Sequence, residues 1–154
     1  MSRICQILVL AGVCIPAVSD AKVTGPKVPE PRMKITDIEA EGNRDHFKVY
    51  ITNEGEGEGK RPSLTVFILR DGELVFEHDR MLSPLQPGKS SVEHISCYET
   101  RLRKGDLIRV TVGEQGKNAE GKTTRIGVHT RDFVVVDNWR PVDPHWKGPR
   151  KTNQ

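Results

Sequence analysis

"SLTVFILRDGELVFEHDRML", residues Ser63 to Leu82, decides how the rest of the chain is read. Its two apolar arms meet at Asp71-Gly72, a pair favoured where both central residues of a tight turn take positive φ. That predicts a β-hairpin. The first arm, Leu64 to Leu69, is rich in β-formers and apolar at successive positions, so both of its faces are expected to be covered, as in a central strand.

The pattern continues on either side. Before the hairpin, "HFKVYITN" (46–53) places Phe47, Val49 and Ile51 on one face and His46, Lys48, Tyr50 and Thr52 on the other, the alternation of a half-buried strand. "MKITDIEAEG" (33–42) is a weaker strand ahead of it. After the hairpin, "SPLQPGKS" breaks at Pro87-Gly88. "KSSVEHISCY" (89–98), "DLIRVTVGE" (106–114) and "TTRIGVHTRDFVVVD" (123–137) supply further strands. In the second of these Ile108, Val110 and Val112 oppose Arg109 and Thr111. No stretch holds a capped apolar stripe of helical period. About seven short strands, with a turn signal about every ten residues, predict an all-β sandwich.

The glycine-acid stretch "ITNEGEGEGKRP" (51–62) joins two of these strands. A phosphate-cradling loop would need a glycine where Glu54 stands, Ser or Thr where Arg61 stands, and a following helix. Its three glutamates would also repel a phosphate. Calcium takes carboxylate oxygens, which makes Glu54, Glu56 and Glu58 the weak cation candidates, although no Asp-x-Asp-x-Asp-Gly pattern is present. The expected role is a wide, solvated connection whose glycines permit positive φ and which tolerates shortening.

At 154 residues there is room for one domain. Arg3, the apolar "ICQILVLAGVCIPAV" and the small residues Ala17, Ser19 and Ala21 form the three parts of a secretory signal, with cleavage after Ser19 or Ala21. Export to the periplasm or medium follows, with no membrane span after signal removal. An N-terminal strand or anchor is one alternative. A lipoprotein anchored through Cys14 is another, although Val13 stands where such signals place Gly, Ala or Ser. The mature chain keeps only Cys97, so an internal disulfide is excluded. The chain then divides into a signal (1–21), a Pro-rich linker (22–32), a sandwich domain (33–137) and a Trp/Pro/basic tail (138–154). Net charge is +3 with acids interspersed, so nucleic acid is not an expected partner.

Between Asn53-Gly55, Asp71-Gly72 and the Leu85, Pro87, Gly88 turn, the chain resembles the bacterial CARDB domain (cell-adhesion-related domain found in bacteria). The resemblance covers roughly 34–137. It implies an immunoglobulin-like β-sandwich of about seven antiparallel strands, acting outside the cytoplasm as a module that binds or spaces, and it supplies no catalytic residues.

Candidates for chemistry are sparse. Five histidines include no close ligand pair of the kind zinc sites use. A small hydrolase or metal-dependent enzyme on this scaffold would have to use His78, His94 or Cys97, with Asp79 beside His78. On a strand, however, His94 and Cys97 fall on opposite faces. No cofactor is implied. The tail offers Trp139, Arg140 and Trp146, aromatic and basic groups able to stack on a sugar or enter a partner's groove. Trp139 is expected to pack on the end of the sandwich and Trp146 to stay exposed. The functional expectation is an exported, non-catalytic binding or adhesion module recognising a protein or glycan partner in the cell envelope.

Overall fold

The computed structural model describes residues 29–118 and 120–145. The signal, Cys14, most of the proposed linker and Trp146 lie outside the described residues. Among the described residues eight strands, all antiparallel, build two sheets: β1 (Met33–Ala40), β2 (His46–Asn53), β3 (Pro62–Arg70), β4 (Glu73–Met81), β5 (Ser90–Ser96), β6 (Leu107–Lys117), β7 (Thr123–Val135) and β8 (Pro141–Val142). One sheet has the order β1-β2-β5, the other β4-β3-β6-β7-β8. The chain is an all-β sandwich of the immunoglobulin-like kind.

The alternation read from the sequence sets the core. Phe47, Val49 and Ile51 from β2 meet Leu64, Val66 and Ile68 from β3 and Ile108, Val110 and Val112 from β6, all fully buried. The β3–β4 turn forms at Asp71 (φ 52°) and Gly72 (φ 85°), the positive angles that the Asp-Gly pair predicts. β3 lies between β4 and β6, so it is the central strand expected. The eighth strand is only two residues long, too short for a periodic signal, yet it carries the sheet past Asp137 to Val142.

Two polar clusters fix the connections. Asp106, 1% exposed, accepts both arms of the Arg70 guanidinium (2.9 and 3.0 Å) and the Arg103 amide (2.8 Å). That ties the end of β3 to the turn before β6. The same contact holds the Arg70 guanidinium above its usual pKa, with Asp106 as the main cause. At the other end Asn53 is completely buried. Its Oδ1 accepts the amides of Arg32 and Gly55, and its Nδ2 donates to the carbonyls of Gly57 and Leu85.

The glycine-acid loop is therefore not the free connection that its composition suggests. Residues 30 and 32 run beside it, with Glu54 N–H donating to Arg32 O and Gly57 N–H to Glu30 O, while Gly59 and Leu85 exchange both backbone bonds. None of Gly55, Gly57 and Gly59 has positive φ. A Cβ on Gly55 would overlap the backbone of Glu30 to Arg32, one on Gly57 the backbone of Pro29, and one on Gly59 the end of Met33. Their period of two reflects clearance for a neighbouring strand-like segment, which reverses the positive-φ reading.

Candidate binding surface

Alternation buries Ile68, Ile108, Phe133, Val135 and Pro141, so the residues between them face away from the core. Strand register then aligns those outward residues. Leu74 on β4 opposes Leu69 on β3, Leu69 opposes Leu107 on β6, Leu107 opposes Val134 on β7, and Val134 opposes Val142 on β8. Five aliphatic side chains thus form one row across the outer face of the larger sheet, spanning about 19 Å at ordinary strand spacing. Leu74 is 54% exposed, and the other four are half-buried.

The next row bounds this stripe. Phe67 opposes Glu77 and Arg109, and Arg109 opposes Asp132. The Arg109 guanidinium grips Asp132 through two bonds of 2.8 Å. That contact lowers the Asp132 pKa and raises that of Arg109. Beyond it Thr111 and Thr130 share a hydrogen bond of 3.0 Å. Arg125 then reaches across Gly113 to Ser63, Thr65 and Asp79. An aliphatic stripe flanked by internally paired charges is the arrangement of an interface core with its polar rim.

The residues singled out from sequence lie elsewhere. Trp139 sits in a short 3-10 turn (Asp137–Trp139) where both it and Asn138 have positive φ. Its ring is half-buried beneath the guanidinium of Arg44, 4.5 Å from the ring centre. It does rest on the end of the sandwich, but as a surface stack and not as a core residue. Arg140 is exposed, and its carbonyl accepts the Val136 amide. Glu54, Glu56 and Glu58 do not form a three-carboxylate group: Glu54 pairs with Lys34 at 3.0 Å and Glu58 with Gln86. Glu54 and Glu56 both border a depression with Pro29, Glu30 and Pro31.

His78, on β4, stacks on Phe76 in the larger sheet, whereas His94, on β5 of the smaller one, pairs with Glu41 at 3.0 Å. Cys97 is buried, its thiol against the Asp45 and Arg44 carbonyls, and burial pushes its pKa up to about 11. Such a thiol carries almost no thiolate at neutral pH and is a poor nucleophile. Among the described residues no group of three or more His, Cys, Asp and Glu side chains gathers where one ion could bridge them. No helix among them is long and apolar enough to cross a membrane.

No family model matches this chain, and no curated protein matches it. Among solved structures, the crystal structure of a CARDB domain from Pyrococcus furiosus, in complex with di-metal ions, matches with a TM-score of 0.37 and 19% identity. The match covers 73% of this chain and 98% of that one. It is a domain of the kind that the turn motifs of this sequence resemble.

Proposed function

We propose that this chain is an exported, non-catalytic adhesion-type module that docks a protein partner of the cell envelope on the outer face of its five-stranded sheet. The observation that carries the reading is the row Leu74, Leu69, Leu107, Val134 and Val142. One exposed and four half-buried aliphatic side chains stand in register on this face, and the area they leave open forgoes roughly 25 cal/mol per Å² of burial, which a partner would recover. Aliphatic side chains favour protein over glycan here, because sugars are held by stacking on aromatic rings and the row contains none. The inert Cys97 and the separated His78 and His94 support the non-catalytic half of the reading.

The test is Leu107→Asp in the mature chain, used with wild type to capture partners from the native envelope fraction. Loss of one captured polypeptide, about 100-fold in apparent affinity, with cooperative unfolding retained, is the expected result. Equal capture by the folded variant would refute the surface assignment. Stoichiometric zinc surviving chelation, together with hydrolase activity, would favour the enzyme reading instead.

A further inference from the structure

The two sheets also meet along one side, where β1 faces β7, and the contact there is unusual. At Ile35, β1 carries a bulge that leaves Thr36 unpaired with β2. The backbone groups on this edge are taken up by two side chains of β7. His129 Nδ1 accepts the Ile35 amide at 3.2 Å, and Arg131 Nη1 donates to the carbonyls of Ile35 and Thr36. Asp143, just past β8, holds Arg131 through Nε and Nη2, and the guanidinium lies 5.1 Å from the Phe133 ring centre. Side chains stand in for the strand pairing that would otherwise close this edge.

The His129 bond has a protonation requirement. Nδ1 can accept only when the imidazole is neutral with its proton on Nε2; an imidazolium would point an N–H at the Ile35 N–H. The charges around the ring oppose protonation further. Arg131 on β7 and Lys34 on β1 both act against it, with Arg32 beside them on the segment entering β1. Glu54, the one acid facing the ring, is already engaged by Lys34. On β6 the residue opposite His129 is Val112, which is uncharged, and the nearby Glu114 carboxylate accepts the Arg61 amide.

We propose that His129 is an acid-sensitive latch which, on protonation, releases the β1–β7 seam at Ile35 while β1 stays paired to β2. The Arg131 bonds then hold the seam alone, next to a new positive charge. Burial and Arg131 lower the His129 pKa below its ordinary 6.5. A lowered folded-state value means the unfolded chain binds the proton more readily. The latch therefore contributes fully above pH 6.5, and its contribution is lost as pH falls from there through the lower folded-state value.

The experiment is amide hydrogen exchange of Ile35 by NMR in the folded chain, corrected for the intrinsic pH dependence of exchange, with the His129 ring nitrogens observed in parallel. Protection of Ile35 should fall at least tenfold between pH 7.5 and pH 5, tracking the ring titration, while the β2-paired amides of β1 keep theirs. His129→Gln, which stays neutral, should remove that pH dependence, and His94→Gln should leave it in place. Unchanged Ile35 protection in the wild type would overturn the latch, as would an acid-induced loss that persists in His129→Gln. The wild-type titration decides even if the His129 variant folds poorly.

Discussion

The two outer faces of this sandwich differ in kind. On the three-stranded sheet, register brings together Glu39, Lys48 and His94, then Asp37, Tyr50 and Val92, then Lys34, Thr52 and Ser90. Those groups satisfy one another: Tyr50 donates to Glu39, Thr52 bonds Ser90, and Glu41 takes both His94 and Lys48. Val92 is the one exposed aliphatic among them. On the five-stranded sheet a whole row is aliphatic, with the polar groups paired off to one side. Both faces share a core and an alternation rule, so solvent contact alone does not explain the difference. A face that completes its own hydrogen bonds is finished in water, whereas under the proposed function the aliphatic row would be completed by a partner.

The contrast breaks most severely at the framework both faces share. Asp106→Ala leaves the Arg70 guanidinium without its buried partner and should cost about 3–5 kcal/mol in urea unfolding. Both faces would be lost together, and a cost under about 1 kcal/mol would show that the pair is dispensable. Asn53→Ala removes four hydrogen bonds at the glycine-acid loop and should cost about 2–4 kcal/mol. Deleting two residues between Glu54 and Gly59 should act in the same direction. A deletion variant as stable as wild type would restore the picture of a free connection.

Much of this was legible in the chain. Alternation at Phe47, Val49 and Ile51 and the Asp71-Gly72 pair locate strands, and the turn signals between them give the sandwich, because a period of two and a positive-φ turn are local properties. The aliphatic row is different. Leu74, Leu69, Leu107, Val134 and Val142 come from five strands, and only register, which is a long-range quantity, reveals them as neighbours. The same holds for His129 and Ile35, which lie 94 residues apart. The glycines of the acidic loop were visible as a pattern, but their cause, the passage of residues 29–33, lies outside the loop itself.

A smaller effect sharpens the comparison further. Trp139 is a surface stack under Arg44, so Trp139→Ala should lower stability by about 1 kcal/mol or less, the scale of an exposed cation–π contact. A loss of several kcal/mol would mean that the ring is part of the core.

Photo-crosslinking separates the two faces, with a photoreactive side chain at Leu107 on one and, in a second variant, at Tyr50 on the other. Each folded variant is irradiated with the native envelope fraction. One discrete cross-linked adduct is expected from position 107 and none from position 50. Adducts of equal yield from both faces, or an adduct from position 50 alone, would contradict the surface assignment.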